Sequence, residues 1–352
     1  LLVYLAIPNP PPRSGPKPQV SFVGFLFASL GLSLIYGVLE QGERLDWLHS
    51  GTIVAMLVAG GFLLVAAAVR RWLAPNPLVN LRALWRRNTL IVAGGLFSIR
   101  FAMLAILVLV PGFLGAVQSY RPRETGRVLG WSVVPVLVAG ISAARAMKRV
   151  DGRIVMALGL ALVGAAGILN FHLTSAWVDQ DFLLSQIVLA AGLAAGLVGF
   201  IGLACQEIQE SGAVVAASVV RPVEVLTYAA FLQVTRLFGG QLGVSVVQRF
   251  VNLREMFHSN RLGYGVQAGD FVTDDQLRAL AAGVLPGSPG GEDAQGRAAL
   301  ILGGQLRRQA YTMAYADAFL LLTGICVAFM LLMAAMRPMK IYYDATSSPV
   351  TQ

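Results

Sequence analysis

The sequence has little charge: 13% of its 352 residues are Asp, Glu, Lys or Arg, whereas 56% are hydrophobic. A soluble globular domain carries about twice that charged fraction, so this balance excludes such a domain and predicts a polytopic membrane protein. In a soluble protein a net charge of +9 would suggest a nucleic-acid partner. Here the basic residues flank apolar runs and form no single patch, so they indicate membrane orientation and no nucleic-acid binding.

Cysteine and histidine are also scarce. The two cysteines, Cys205 and Cys326, fall inside predicted spans, so no disulfide framework is expected. The three histidines, His49, His172 and His258, are widely separated and lie outside the predicted spans. Since there is no HExxH, GxSxG, Walker A or dinucleotide motif, we expect no metal site, no cofactor, no enzymatic activity and no ATP-driven pump.

A starting methionine and a signal peptide are lacking as well. The chain begins LLVYLAIPNPPP, and its residues 1–7 are too short to cross a bilayer but fit the end of a span. We therefore expect a fragment whose beginning is missing. Residues 1–19 would then be the end of a truncated span followed by a proline-rich cytoplasmic linker.

What the sequence does contain is long apolar runs. A transmembrane helix needs roughly 17–25 predominantly apolar residues, and eight runs meet that length. The expected fold class is therefore an all-α polytopic membrane protein with about eight transmembrane helices. The predicted spans are residues 20–39, 52–69, 89–110, 128–144, 154–170, 182–205, 225–247 and 311–336.

The distribution of basic residues predicts the orientation of these spans. Lys and Arg number 14 in the loops at 8–20, 70–88, 145–153 and 206–224 and in the tail after Met336, but four in the alternate loops at 40–50, 111–127 and 171–182. The positive-inside rule places the first set, and the carboxy terminus, in the cytoplasm.

Residues 248–310 would then form a long periplasmic segment. Thr273 or Asp274 is expected to cap a helix there, and residues 292–310 would form an amphipathic piece that leads into the last span. The segment could cover the outer mouth, serve as a docking surface or simply connect two spans.

The seventh run carries a polar stripe along one side of its predicted helix. A guanidinium at mid-depth costs several kcal/mol unless it faces a partner or water, and glycines beside it allow another backbone to approach closely. We therefore expect this helix to line a protein interior, the alternative being an arginine that snorkels or ties two helices together. The residues of the stripe are Tyr228, Gln233, Arg236, Gly239, Gly240 and Gly243.

Other ionisable residues lie in or near the spans. For Arg100 the sequence leaves two interpretations open, a water-filled path or an internal contact that fixes helix packing. Asp317 lies near the outer end of its span, where solvation or pairing with Arg307 or Arg308 is favoured over proton carriage. Glu207, at the inner end of the sixth run, is expected to be interfacial.

Six short segments resemble one known family. They are LEQGERLDW after the first run, YRPRETG before the fourth, KRVDGR after it, TRLFGGQLG in the seventh, REMFHSNRLG after it and YADAF in the eighth. Together they resemble the major facilitator superfamily, and within it the fourteen-span drug:proton antiporters of the EmrB/QacA type. The resemblance covers nearly all of the chain, from the end of family span six through span fourteen.

This resemblance implies a division of the chain. Residues 20–88 would be two extra central spans with a cytoplasmic basic loop, and residues 89–336 a carboxy-terminal six-helix bundle that includes the periplasmic segment 248–310. Residues 337–352 would be a cytoplasmic tail. The amino-terminal half, which in this family holds the proton-linked arginine and the well-formed gating loop, is absent from the sequence, so no proton-coupling residue carries over.

The resemblance also implies roles for individual residues. Arg236 with Gly239 and Gly240 matches an arginine-glycine-glycine pattern, and RAMKRVDGR is similar to a degenerate gating loop. The expected cavity-lining residues are Arg100, Tyr228, Gln233 and Arg236. The expected packing or gating residues are Gly239, Gly240, Gly243, Arg149, Asp151 and Arg153, and Asp317 is a further ionisable candidate.

The function implied is the carboxy-terminal part of a proton-driven efflux permease in a bacterial inner membrane. Its partners would be a small amphiphilic substrate, protons, the bilayer, the missing amino-terminal half and a periplasmic adaptor protein. Two alternatives remain open: export of an endogenous metabolite, lipid or siderophore, and a non-transporting membrane scaffold that binds a periplasmic adaptor.

Overall fold

The computed structural model describes residues 22–73, 84–210, 214–215, 218–219, 222–266, 270–284 and 291–335. The predicted linker at 1–19 and tail at 337–352 lie outside these residues. Within the described part, ten α-helices account for most of the chain, and Val214–Val215 (β1) pairs antiparallel with Ser218–Val219 (β2). The helices are α1 Phe22–Gln41, α2 Gly51–Leu73, α3 Arg87–Gln118, α4 Pro122–Gly130, α5 Val133–Ala146, α6 Gly152–Phe171, α7 Leu183–Glu210, α8 Pro222–Gly263, α9 Phe271–Val284 and α10 Gly291–Ala334.

Seven helical segments of the described chain are long and apolar enough to cross a membrane. They confirm an all-α polytopic membrane protein and contain seven of the eight predicted spans. The remaining one, at 225–247, lies in α8, which has 42 residues but is less apolar. Gln233, Arg236 and Gln241 account for this, because amide and guanidinium groups are costly to place in hydrocarbon.

Two helices continue far beyond the predicted spans. α8 runs without a break to Gly263, and α10 begins at Gly291, about 20 residues before the predicted last span. The amphipathic piece expected to lead into that span is part of the same continuous helix as the span itself. The predicted cap at Thr273 or Asp274 is wrong, because α9 begins at Phe271 and Thr273 is buried inside the helix.

Helix α3 lies at the centre of the packing. It contacts α8, α10 and α7, and its middle turns contain fully buried side chains such as Leu109, Phe113 and Leu114. The sequence predicted that the third span ends just before Pro111. This prediction is wrong, because Pro111 lies inside the helix, which continues to Gln118. Neighbouring helices can satisfy the backbone groups that an internal proline frees.

The closest helix crossing joins α6 to α7. A Cβ atom added at Gly159 would overlap the backbone of Gly196, and one added at Gly192 would lie 2.8 Å from the carbonyl oxygen of Gly159. The GxxxG pair Gly192 and Gly196 thus allows a tight crossing of the two helices.

The first two helices form a hairpin of their own. α1 packs along α2, where Gly31 and Gly60 face each other. The hairpin reaches the remaining helices mainly through α8, where the rings of Tyr36 and Phe238 lie 6.1 Å apart. The hydroxyl of Ser245 also donates to the carbonyl oxygen of Leu39 at 2.5 Å.

The crossing at Gly159 gives a direct test of this packing. Gly159→Ala should lower the free energy of unfolding by about 1–3 kcal/mol, because the added methyl group forces α6 and α7 apart. Gly140→Ala on α5 is the matched control, since a Cβ there meets nothing within 4 Å. Thermal unfolding of the purified protein in detergent measures both, and equal melting temperatures would contradict this packing.

Candidate functional site

The candidate site lies along the seam where α8 crosses α3. A Cβ atom at Gly239 would stand 2.9 Å from the carbonyl oxygen of Phe97, and one at Gly243 would overlap the backbone of Phe101. The two helix backbones therefore touch at these glycines, which no residue with a side chain would allow without a shift. Gly239 and Gly243 therefore lie directly against α3.

Two arginines lie at this seam. A Cβ at Gly240 would be 3.8 Å from Nη2 of Arg100, and the guanidinium of Arg236 lies within electrostatic reach of Arg100. Within the described residues Arg100 contacts Met103, whose sulfur is 3.3 Å from Nη1, and its buried Nε has no hydrogen-bond partner. Neither arginine forms an ion pair with a described carboxylate. The seam therefore carries two positive charges without a described counter-charge.

The four predicted cavity residues do not all face the same way. Arg100 is half-buried beside the glycines, whereas Gln233 and Arg236 are exposed on α8. Tyr228 is buried inside the bundle, in a cluster with Ile91 and Leu203, and its hydroxyl has no partner among the described residues. The structure thus brings Arg100 and Arg236 together and places Tyr228 in a different, internal environment.

A cleft opens between α1, α3, α8 and α10. Its cavity measures about 480 Å³ and is of the size that small-molecule sites have. This cleft could not be predicted from the sequence, because four separate segments build it. None of the predicted cavity residues lines it. Its polar lining is Glu40, Glu43, Arg44, Gln248, Asn252 and Tyr315.

Asp317 forms a charged cluster that joins α10 to α8. Its Oδ2 accepts hydrogen bonds from Nε and Nη2 of Arg254, both at 2.6 Å, and lies 2.7 Å from Nε2 of His258. The sequence predicted that Asp317 pairs with Arg307 or Arg308. Arg307 pairs instead with Glu255. The correct partners of Asp317 are 59 and 63 positions away in the sequence, so local spacing could not identify them.

The loop that resembles a gating loop is anchored at the start of α6. The carboxylate of Asp151 accepts from the backbone N–H of Arg153 at 3.0 Å and pairs with its guanidinium at 2.8 Å. This caps α6 in the way aspartate commonly caps a helix. Arg149 is exposed, and the loop is held to α7 where Met147 covers Gly202. Arg149, Asp151 and Arg153 lie apart from Arg100 and Arg236.

The sequence suggested that Glu207 is interfacial, and this prediction is wrong. Glu207 is 5% exposed, and one of its carboxyl oxygens lies 2.6 Å from the hydroxyl of Thr89, which donates to it. The reason is tertiary: the first turn of α3 packs over the end of α7. Hydropathy along one helix cannot show this.

The charged cluster allows a quantitative prediction. In a double-mutant cycle, Asp317→Asn and Arg254→Gln should show a coupling energy of about 0.5–3 kcal/mol, because they share one hydrogen-bonded contact. Thermal unfolding in detergent supplies the four stabilities. The control cycle uses Glu43→Gln and Arg249→Gln, a looser pair at 3.8 Å, for which a coupling below about 0.5 kcal/mol is expected. Equal coupling in both cycles would contradict the distinction.

Comparison with known proteins agrees with the sequence motifs. No protein-family model matches the chain. Over 264 residues it is 24% identical to the colistin resistance protein EmrB of Acinetobacter baumannii, which covers 73% of this chain and 48% of that protein. The chain therefore spans about half the length of the curated relative it matches. The resemblance to the EmrB type is confirmed, and the helices fit a multi-pass membrane protein.

Proposed function

We propose that this chain, which resembles EmrB over most of its length, is the carboxy-terminal part of a proton-driven efflux permease. It would export small amphiphilic molecules in exchange for protons across a bacterial inner membrane, with its carboxy terminus in the cytoplasm. Residues 20–88 would be an accessory pair of spans, and residues 89–336 one of two bundles. A periplasmic adaptor protein is a further proposed partner.

The pair of unbalanced arginines carries this proposal. A positive charge in an apolar span is costly, and Arg100 and Arg236 repel each other as well. Such an arrangement persists only if water, an anion or a carboxylate from elsewhere lowers its energy. Gln233 and Arg236 are exposed on the same helix, so we assign this face to a wet crevice between α8 and the opposing bundle.

The glycine seam supports a moving element at this place. Where backbones touch at Gly239 and Gly243, few side chains interlock, so α8 can shift along α3 at low cost. Alternating access in transporters of two bundles proceeds by rocking of one bundle against the other around a site at mid-depth. Helix α8, which carries Arg236 on one side and contacts α3 through its glycines, suits that motion at the boundary between the two bundles.

The share of EmrB that the chain matches also supports two bundles. The matched part is 48% of that protein, and the other half would supply the opposing bundle. A carboxylate there would pair with Arg236 when it is deprotonated, and would release the arginine to repel cations when it is protonated. Proton uptake and substrate release would thereby be linked through one charge.

The cleft between α1, α3, α8 and α10 has a place in this scheme. Two carboxylates, one arginine, two amides and a phenol line about 480 Å³, and aliphatic side chains such as Val108 and Leu109 complete its walls. Such a mixture suits an amphiphile with a polar end. We assign it as a station that the substrate occupies on its way out.

The central role of Arg236 can be tested in the complete protein. Arg236→Ala should reduce proton-driven efflux by about tenfold or more, equivalent to a loss of about 1.4 kcal/mol of interaction, without loss of membrane insertion. Arg236→Lys keeps the charge and should retain more transport. The measurement is substrate uptake into inverted vesicles under a pH gradient, with a protonophore as reference and colistin among the substrates.

Arg261→Ala is the matched control, because this arginine is exposed at the far end of the same helix. It should transport normally. If Arg236→Ala and Arg261→Ala both kept full activity, the role proposed for the seam would be excluded.

A further inference from the structure

The turn that joins α1 to α2 forms one wall of the cleft. Its residues Glu40, Glu43 and Arg44 line the cavity together with Gln248 and Asn252 of α8. We call residues 40–50 the hairpin turn. In the proposed orientation the hairpin turn lies on the outer side of the membrane, so it borders the route by which an exported molecule would leave the cleft.

Glu43 connects the hairpin turn to α8. Its Oε1 accepts a hydrogen bond from Nδ2 of Asn252 at 2.7 Å, and Nη1 of Arg249 lies 3.8 Å from the same oxygen. Just before the turn, the carbonyl oxygen of Leu39 accepts from the hydroxyl of Ser245, also on α8, at 2.5 Å. Because Glu43 and Asn252 both line the cleft, their contact joins two of its walls.

The same carboxylate holds the hairpin turn in a strained shape. Asp46 and Trp47 have φ angles of 59° and 48°, a left-handed backbone that is costly for any residue with a side chain and is a genuine outlier for a bulky one. Oε2 of Glu43 accepts from Nε1 of Trp47 at 2.8 Å, and the indole ring covers Gly42, where a Cβ would lie 2.7 Å from it. Strain of this kind persists only while surrounding contacts enforce it. Glu43 therefore keeps the turn strained with one oxygen and binds α8 with the other.

The hairpin of α1 and α2 is otherwise lightly held. α1 buries Gly31 and Val38, and α2 buries Ile53 and Gly60. Most of the surface of the hairpin is therefore not covered by the described chain, and the hairpin meets the bundle mainly through α8. Since few buried contacts mean a low cost of local opening, the contact at Glu43 is a large share of what keeps the hairpin turn in place.

We propose that the accessory pair of spans is a gate for the cleft and that Glu43 is the positioning residue that latches it. In the closed state Glu43 accepts from Asn252 and Trp47, and the hairpin turn stays against α8. When α8 shifts along α3, Asn252 leaves Glu43, the strained turn relaxes, and the cleft opens outward. The inference rests on the proposed function, because a gate is of use only if a molecule leaves through the cleft.

Glu40 provides an internal comparison for Glu43. It lies one helical turn earlier on α1 and lines the same cleft. Its side chain is exposed and forms no hydrogen bond or ion pair with a described residue. A carboxylate at the wall of the cleft is therefore not enough to hold the gate, and the latch depends on the contacts that Glu43 makes.

The rate of thiol labelling inside the cleft tests the latch without any transport. Val251 lines the cleft and is 5% exposed. In the complete protein in lipid, with Cys205 and Cys326 replaced by serine, Val251→Cys should react slowly with a membrane-impermeant maleimide. Adding Glu43→Ala should raise this rate by about tenfold or more, because the carboxylate loses both of its hydrogen bonds. Glu43→Gln keeps an oxygen acceptor and should give an intermediate rate.

Three further variants make the labelling result decisive. Glu40→Ala is the matched control and should leave the rate unchanged. Asn252→Leu removes the partner on α8 and should raise the rate as Glu43→Ala does. A thiol at Ala166, which is 1% exposed in the bundle, should stay unlabelled throughout, which separates opening of the cleft from unfolding. Equal rates in Glu40→Ala, Glu43→Ala and Asn252→Leu would overturn the latch.

Cross-linking tests the gate in transport. Arg44→Cys with Gln248→Cys places thiols on two walls of the cleft, and a short, reducible bifunctional thiol reagent should lower efflux by about tenfold or more until it is reduced. Gly37→Cys with Met56→Cys is the control. It joins α1 to α2 within the hairpin, where a Cβ at Gly37 would lie 2.7 Å from the Met56 side chain, and its cross-link should leave efflux unchanged.

The two measurements separate this inference from the proposed function. If the protein cross-linked between Arg44→Cys and Gln248→Cys exports as fast as its reduced form, the gate is excluded and the proposed function stands. If the unaltered protein shows no proton-driven efflux, the proposed function fails, and the labelling rates still decide whether Glu43 latches the cleft.

Discussion

The energetic constraint on this molecule is the positive charge of Arg100 and Arg236 inside largely apolar helices. Each guanidinium must be solvated or neutralised, because at the middle of a bilayer it costs about 3 kcal/mol or more. The described chain supplies neither arginine with a carboxylate partner. In the proposed function this charge determines which side of α8 faces lipid, and a wet or acidic surface lies opposite the seam.

Small residues then determine how closely the helices meet. α6 and α7 touch at Gly159 and Gly196, and α3 and α8 touch at Gly239 and Gly243. In a bilayer these contacts replace the hydrophobic effect as the source of helix association, since lipid is as apolar as leucine. Close approach also brings buried polar groups within reach of one another, as the contact between Thr89 and Glu207 shows.

Features that depend on one helix could be predicted from the sequence. Run length and hydropathy identified seven spans, and the 3.6-residue period of α8 placed its glycines on the side that contacts another helix. Features that depend on two or more helices could not be predicted. Three such features are the pairing of Asp317 with Arg254, the burial of Glu207 and the cleft near Glu43. Each depends on contacts between segments far apart in the chain, and the pattern of one sequence does not show such contacts. The lengths of α8 and α10 were underestimated because hydropathy detects only the apolar part of a helix. Both helices continue into more polar sequence beyond that part.

Water access to the seam is the most direct test of the account. In the complete protein, with Cys205 and Cys326 replaced by serine, Gln233→Cys places a thiol beside Arg236. Leu331→Cys places one on an exposed apolar part of α10. A membrane-impermeant maleimide should label the first thiol rapidly and the second very slowly. Equally slow labelling of both, with rapid labelling by a lipid-soluble maleimide, would show that the arginines face acyl chains and would contradict the account.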